Sequence, residues 1–299
     1  MRLPPPLTAG ARVALVAPAG ALRGPEELET AMSNARTLGW DPVPGANVLA
    51  RHGYLGGSDA ERLHDLNAAL GDESVDAVWC VRGGYGVTRL LAHIDYASLT
   101  RRPRAVIGYS DITAFHAAVG TRCELVSYHG PTARGELSEL SRSSLVRATV
   151  ERGDPCGVAP DARTIRSGRA HGRLVGGNLS LLAALAGTPY APDYRGALLV
   201  LEDVGEPAYR IDRMLVQLAQ SGALAQIAGL VVGHFTEATP GHELPERSLD
   251  ILLRDAAEIA GVPAIAGAPI GHIQDQWTLP LGAMARLDAD ALTLSVEQS

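Results

Sequence analysis

Short apolar runs alternate with helical patterns in the first part of the chain, and this alternation constrains the fold more than any other feature. Residues 13–17, 75–81 and 104–107 are near-continuous apolar runs, which are typical of strands buried on both faces of a parallel sheet. Pro25 to Gly39 and a capping box beginning at Ser58 predict helices between them. The pattern predicts an α/β domain with a parallel sheet of the Rossmann or flavodoxin type.

The rest of the chain is organised differently. Residues 136–169 are rich in Ser, Arg, Asp and Pro with one short helical pattern, so we interpret them as a crossover between domains. Beyond them, Gly176 and Gly177 are interpreted as a turn before a helix capped by Asn178. The predicted division is an α/β domain over 1–135, a linker over 136–169 and a second domain over 170–299.

Charge and composition exclude several classes of function. The 26 basic residues are all arginine and are outnumbered by 33 acidic residues, so the net charge of -7 disfavours a nucleic-acid partner. No apolar run approaches the roughly 18 residues of a membrane span, and the amino terminus lacks a signal-peptide pattern. We therefore expect a cytoplasmic protein with no membrane partner.

Cys80, Cys123 and Cys156 are widely spaced, and we expect them to be reduced and without a chemical role.

Ser110 stands where an apolar strand ends at Gly108 and a helix begins. A serine at a tight strand-to-helix turn projects its hydroxyl from the sheet edge, where the first amides of the helix point toward an oxyanion. Asp111 would then lend its backbone N–H. The Gly-x-Ser-x-Gly motif would need glycine at position 112, where Ile112 stands. Ser110 is therefore a candidate nucleophile, and a helix N-cap is the alternative.

A serine nucleophile needs a histidine to take its proton and a carboxylate to orient that histidine. Glu202 ends the apolar run at residues 197–201, and His272 follows an apolar segment that ends at Gly271. Both therefore occupy positions where a strand gives way to a loop. The alternatives are a helix-capping carboxylate for Glu202 and a surface histidine for His272.

A glycine-rich segment, Arg82-Gly83-Gly84-Tyr85-Gly86, follows another predicted strand. It lacks both the spacing of a dinucleotide-binding loop and the lysine of a P-loop, so we interpret it as a close backbone approach to substrate. His129 follows the second predicted strand after this segment. We interpret it as a structural residue in a loop held by Pro131.

A zinc site is the other chemistry that the histidines suggest. His234 and Glu237 have the His-x-x-Glu spacing of some zinc carboxypeptidases, and His242 would be a third ligand. No helix or strand fixes these residues relative to one another, and a Pro-Gly turn intervenes. We therefore predict that the protein holds no metal.

In their order along the chain, these motifs resemble those of the LD-carboxypeptidase family of serine peptidases. The matching segments span nearly the whole chain and are residues 13–20, 82–86, 108–113, 129–131, 176–179, 201–204, 209–213, 271–272 and 279–282. The resemblance implies that Ser110 is the nucleophile, Glu202 the orienting carboxylate and His272 the general base. It also implies an amino-terminal α/β domain, a carboxy-terminal α+β domain richer in β structure, and a homodimer.

The function implied is that of a cofactor-free serine carboxypeptidase. Its substrate would be a small peptide, the murein tetrapeptide recycled in the cytoplasm, from which it removes a terminal D-Ala at an L,D bond. The N–H groups of Asp111 and Gly84 would stabilise the oxyanion, with Gly83 as the alternative to Gly84. Arg82 or Arg210 would bind the free substrate carboxylate.

Two alternatives stay open. Within the family, one branch gives self-immunity to microcin C-like peptide-nucleotides. Residues 136–169 contain no Trp, Tyr or Phe on which a base could stack, which favours murein peptides. A non-enzymatic two-domain protein that closes on a small ligand is the alternative of another class. Failure to react with a serine-directed phosphonate would favour that binding protein.

Overall fold

The computed structural model describes residues 1–237 and 248–297. Its strands are β1 Arg12–Val16, β2 Asp41–Pro44, β3 Ala77–Cys80, β4 Ala105–Gly108, β5 Ser127–His129, β6 Gly157–Val158, β7 Arg163–Arg166, β8 Arg169–Asn178, β9 Leu198–Val204, β10 Gly229–Thr236, β11 Ala264–Ala266, β12 Leu279–Leu281, β13 Met284–Asp288 and β14 Thr293–Glu297. Its α-helices are α1 Pro25–Thr37, α2 Asp59–Gly71, α3 Tyr96–Arg101, α4 Thr113–Cys123, α5 Glu139–Val146, α6 Leu179–Leu185, α7 Ala208–Gln220 and α8 Leu249–Ala260.

The first sheet has the order β12-β5-β4-β3-β1-β2, in which β1 to β5 are parallel and β12 runs antiparallel to β5. The order 2-1-3-4-5 of the parallel strands is that of flavodoxin-like folds. Val78 and Val106 face a core shared with α2, α3 and α4. Trp79 and Ile107 face the opposite core, shared with α1 and α5. The predicted parallel sheet with both faces covered is confirmed.

The second sheet has more strands and mixed directions. Its order is β6-β14-β13-β8-β9-β10-β11-β7, with β8 to β11 parallel and the flanking strands antiparallel. Helices α6, α7 and α8 pack on one face. The other face packs against Val126, Trp277 and Leu279, which are close to the first sheet. The prediction of a carboxy-terminal part richer in β structure is confirmed.

The chain crosses between the two sheets more than once. Strand β12 returns to the edge of the first sheet, where Leu279 pairs with His129. Within the predicted linker, Leu145 of α5 and Ala148 join the first sheet's core, whereas β6 and β7 belong to the second sheet. The division of the chain at residues 135 and 170 stays a prediction.

The helix signals in the sequence are confirmed where they can be compared. Pro25 is the first residue of α1. Gly39, just beyond that helix, has a φ of 79°, a left-handed value that is typical of a helix end. The Ser58 hydroxyl and the Glu61 carboxylate form the capping box of α2. Among the helices that the structure describes, none combines the length and the apolar character needed to cross a membrane.

The predicted turn at Gly176 and Gly177 is wrong, because both residues lie inside strand β8. A β-carbon at Gly176 would collide with the backbone of Val200 in β9, and one at Gly177 would lie 3.2 Å from Nδ1 of His129. Gly176 therefore allows the backbone of β9 to approach closely, and Gly177 leaves room for the side chains of Thr113 and His129.

Candidate active site

Ser110 lies in a strained turn between β4 and α4. Its φ of 65° is in the left-handed region, which residues other than glycine seldom occupy. A short 3-10 turn over residues 110–112 leads directly into α4, whose N-cap position is Ile112. The sequence alternative of Ser110 as the N-cap of α4 is therefore wrong, and its hydroxyl faces other partners.

The structure brings Ser110, His272 and Glu202 together, although they are distant in sequence. The Nε2 atom of His272 lies 3.1 Å from the Ser110 Oγ, and its Nδ1 atom lies 2.8 Å from Oε2 of Glu202. An ionised carboxylate only accepts, so Nδ1 carries the proton that bonds to Glu202. Nε2 is then free to accept the Ser110 proton, which is the arrangement of a serine, histidine and carboxylate triad.

Glu202 is fully buried in β9, beside the loop that carries His272. Burial raises the pKa of the Glu202 carboxyl above its usual value, and the hydrogen bond from His272 opposes this effect. A β-carbon at Gly271 would lie 2.9 Å from Oε2 of Glu202 and 3.0 Å from its Cβ, and Gly271 has a φ of 112°. Glycine at 271 thus lets the histidine loop reach a carboxylate held inside the sheet.

The adjacent acid, Asp203, has a different role. Its carboxylate accepts from the Asn178 side chain at 2.8 Å and from the Ser180 amide and hydroxyl at 2.9 and 2.7 Å. Asp203 therefore fixes the start of α6. Of two neighbouring carboxylates, Glu202 is the one that contacts His272.

The glycine-rich loop lies directly against Ser110. A β-carbon at Gly83 would be 2.8 Å from the Ser110 Cβ and 3.0 Å from its Oγ. The carbonyl of Gly83 accepts from the amide of Gly20 at 3.0 Å, and Gly84 has a φ of 122°. The loop approaches Ser110 closely, and its expected approach to substrate stays a prediction. The assignment of the Gly84 and Asp111 amides to an oxyanion site stays a prediction.

Asp111 also acts through its side chain, which the sequence did not indicate. Its buried carboxylate accepts from the amide of Val87 at 2.9 Å and so joins the nucleophile turn to the end of the glycine-rich loop. Burial raises the pKa of this carboxyl to about 6.

Three aromatic rings lie near Ser110 and His272, and two of them, Tyr109 and His116, were missed by the sequence analysis. The Tyr109 ring lies 4.8 Å from the ring of His272 and 6.0 Å from that of His129, between centroids. His116 donates from Nε2 to the carbonyl of Gly108 at 2.8 Å, at the end of β4. Burial lowers the pKa of His116 to about 4 and that of His129 to about 3, so both rings are neutral at pH 7. For Tyr109 and His116, a sequence position close to Ser110 is the only signal that could have indicated them.

The two candidate carboxylate-binding arginines have different surroundings. Arg82 donates to the carbonyl of Ala21, in the loop that touches the glycine-rich segment. Arg210 is exposed on α7 and lies 3.6 Å from Oε2 of Glu206.

The other chemically reactive residues are placed as follows. His234 lies in β10, Glu237 follows the end of that strand, and His242 lies outside the described residues. In the described ranges, no three His, Cys, Asp or Glu side chains are grouped as a metal site requires. Cys80, Cys123 and Cys156 are free thiols. The absence of a metal stays a prediction.

Comparison with known families covers most of the chain. Residues 13–130 match the LD-carboxypeptidase N-terminal domain, and residues 171–287 match the LD-carboxypeptidase C-terminal domain. The first match contains Ser110, and the second contains Glu202 and His272.

Individual relatives match over nearly their full length. The chain is 42% identical to a putative carboxypeptidase of Streptomyces coelicolor, over 99% of this chain and 96% of the relative. It is 37% identical to a probable murein peptide carboxypeptidase of Bacillus subtilis, over 98% and 94% respectively. It is 36% identical to a murein tetrapeptide carboxypeptidase of Pseudomonas aeruginosa, over 94% of each chain.

Solved structures share the whole architecture. A muramoyltetrapeptide carboxypeptidase from Oxalobacter formigenes superposes with a TM-score of 0.85 at 32% identity, over 96% of this chain and 98% of that one. The microcin C7 self-immunity protein MccF, in complex with aspartyl sulfamoyl adenosine, gives a TM-score of 0.90 at 19% identity, over 100% and 99%. The second likeness is one of fold.

Proposed function

The chain belongs to the LD-carboxypeptidase family, and we propose that it acts as a serine carboxypeptidase through Ser110, His272 and Glu202. The observation that carries the proposal is the chain of two contacts from Ser110 Oγ through the imidazole to the buried carboxylate, at 3.1 and 2.8 Å. Both distances are within hydrogen-bonding reach, so proton transfer from the hydroxyl to the imidazole needs no rearrangement.

In the first half of the reaction, Ser110 Oγ attacks the carbonyl carbon of the scissile bond while Nε2 of His272 takes the hydroxyl proton. The resulting imidazolium is stabilised by Glu202 and then protonates the leaving amine. An acyl-enzyme remains on Ser110. In the second half, His272 takes a proton from a water molecule as the water oxygen attacks the acyl carbonyl carbon. The imidazolium then returns that proton to the Ser110 Oγ as the ester bond breaks, which releases the shortened peptide and restores both side chains.

The oxyanion formed in each half needs N–H donors close to Ser110. The amide of Asp111 begins the turn into α4, and the glycine-rich loop packs against the serine side chain. We propose the amides of Asp111 and Gly84 as these donors, because they belong to the two backbone segments nearest to Oγ.

The substrate that we propose is a murein tetrapeptide, cleaved at the L,D bond before its terminal D-Ala. The support is the identity of 36% and 37% to relatives named for murein peptides. We further propose that the protein is a cytoplasmic homodimer that recycles such peptides and needs no cofactor. Aminoacyl-nucleotide cleavage is the alternative, for which the likeness to MccF supports the fold alone.

Three substrates test this proposal with the purified protein: the L,D-tetrapeptide, its L,L isomer, and an aminoacyl sulfamoyl adenosine. Release of D-Ala from the first substrate alone is the expected result. Cleavage of the aminoacyl sulfamoyl adenosine in preference to the tetrapeptide would instead assign the self-immunity activity to the protein. Turnover of none of the three, with tight binding of one, would favour a binding protein.

A further inference from the structure

Four arginines gather beside the glycine-rich loop, at the carboxyl ends of β1 and β3. We call them the arginine cluster: Arg23, Arg51, Arg82 and Arg134. The Arg82 side chain donates to the carbonyl of Ala21, in the loop after β1. Arg134 is held beside it because the Arg134 amide donates to the carbonyl of Val81 at 3.3 Å. Segments that are distant in sequence thus bring guanidinium groups to one edge of the first sheet.

The cluster carries an excess of positive charge. Glu27 lies among the arginines and accepts from the Arg134 guanidinium and, at 2.8 Å, from the Arg23 amide. Burial and the charge of Arg134 lower the pKa of the Arg82 guanidinium, and Arg23 and Arg51 add to this effect. Four cations around one carboxylate repel one another unless an anion joins them. In a chain of net charge -7, this local excess indicates an anionic ligand.

The cluster is next to the proposed reacting centre. Gly83, which follows Arg82, packs against the side chain of Ser110. The charge of Arg134 acts on Tyr109, whose ring lies beside the imidazole of the triad. The same edge is the switch point of the sheet, where the chain leaves β1 toward β2 on one side and β3 lies on the other. Open α/β sheets bind their ligands in the crevice at such points.

We propose that Arg82 and Arg134 bind the carboxylate at the carboxyl terminus of the substrate. They would thereby select peptides that end one residue beyond the scissile bond, an inference that rests on the proposed function. The terminal carboxylate is separated from the scissile carbonyl by a single residue, roughly 3.5 Å along the chain. It must therefore be bound close to Ser110. A guanidinium suits it because two N–H groups can bond both oxygens.

This proposal favours Arg82 over Arg210, the two arginines that the sequence offered as ligands of the substrate carboxylate. Arg210 already has an acidic neighbour, with Glu206 at 3.6 Å, and its Nε lies 3.3 Å from the Tyr209 hydroxyl. Arg82 is surrounded mainly by other arginines. Electrostatic attraction for a further carboxylate is therefore greater at Arg82 than at Arg210.

The test compares one peptide in two forms, with a free terminal D-Ala carboxylate or with a D-Ala amide. We expect the wild-type kcat/KM to favour the acid by at least about tenfold, the value of one charged hydrogen bond. Arg134→Gln and Arg82→Gln should each abolish most of this preference by raising KM for the acid, with little effect on the amide. Arg134→Lys should restore part of it. Arg169→Gln removes an exposed arginine paired with Asp288 and should leave the preference unchanged.

Binding to the Ser110→Ala variant separates this inference from the proposed reaction. Calorimetry should show tighter binding of the acid than of the amide, and adding Arg134→Gln should remove the difference. If the wild type cleaves neither peptide but this binding preference is present, the carboxylate site stands and the reaction proposal fails. If the peptides are cleaved but the acid preference survives in both glutamine variants, the carboxylate assignment is overturned. Should a glutamine variant fail to fold, Arg82→Lys and Arg134→Lys, which lose the forked geometry, must lower the preference instead.

Discussion

The two halves of the proposed site are held in position by different means. Ser110 belongs to the first sheet and is fixed by backbone geometry, in a turn with a φ of 65° at the end of β4. Glu202 belongs to the second sheet and is fixed by burial inside β9, where its carboxylate contacts His272. The position of Ser110 thus depends on local backbone strain, whereas Glu202 and His272 depend on the second sheet and reach Ser110 across the two sheets. Substitutions in the two halves should therefore have different consequences.

The largest effect is expected for Ser110→Ala. Without the nucleophile, only substrate binding and oxyanion stabilisation remain, so kcat should fall by roughly 1,000-fold or more. Steady-state release of D-Ala measures this, and the melting temperature should stay near that of the wild type. Ser143→Ala, at an exposed position of α5, is the matched control and should keep full activity. Activity of Ser110→Ala within tenfold of wild type would remove Ser110 from the mechanism.

Glu202→Gln should lower kcat by roughly 100-fold or more, because the amide cannot stabilise the imidazolium. Burial raises the pKa of Glu202, so the native carboxylate costs stability as the pH rises through that pKa. The glutamine variant should therefore be at least as stable as the wild type at pH 8, as measured by urea unfolding.

Asp203→Asn is the contrasting variant on the same strand. It should keep activity within about tenfold and lose roughly 1 kcal/mol of stability, because its hydrogen bonds to Asn178 and Ser180 are weakened. The reverse pattern, an active Glu202→Gln and an inactive Asp203→Asn, would transfer the orienting role to Asp203.

A smaller effect is expected at Asp111, on the nucleophile side. Because burial raises its pKa to about 6, this group stabilises the fold fully below pH 4 and loses that contribution as the pH rises through 6. The loss amounts to about 3 kcal/mol. Asp111→Asn keeps an acceptor for Val87 and should remove this part of the pH dependence. Urea unfolding of both proteins at pH 4 and pH 7.5 gives the difference directly; an identical pH dependence would show that the carboxyl titrates normally.

The smallest effect is expected at His234, outside both halves of the triad. We predict that His234→Ala and exhaustive chelation each leave activity within about twofold, because the triad activates its nucleophile by proton transfer. His272→Ala is the matched histidine variant and should be inactive. Loss of activity in chelator that added zinc restores would instead assign catalysis to a metal.

Local sequence signals predicted much of the fold. The capping box at Ser58 and the apolar runs of the first sheet depend on neighbouring residues, and the structure confirms them. Strand β12 could not be predicted, because its three residues form a strand only through pairing with the distant β5. Gly176 and Gly177 were mistaken for a turn, because the groups that require glycine there are distant in sequence: the backbone of Val200 in β9 and the side chains of Thr113 and His129.

In the candidate site too, neighbouring residues indicated some members and not others. A strand ending in glycine before a helix indicated Ser110 from nearby residues alone. Strand-end positions made Glu202 and His272 candidates, but their roles depended on family resemblance, because His272 lies 162 residues from Ser110 and 70 from Glu202 in the chain. Arg134 gave no signal, since only folding places it beside Arg82.

Covalent labelling tests most directly whether the two halves form one catalytic unit. The wild type, Ser110→Ala and His272→Ala would each be incubated with a fluorophosphonate, and the modified residue identified by mass spectrometry of peptides. We predict a single label on Ser110 in the wild type, none at that site in Ser110→Ala, and labelling of His272→Ala slowed by roughly 100-fold or more. Labelling of Ser110 at the wild-type rate in His272→Ala, or no labelling of the wild type, would contradict the proposed triad.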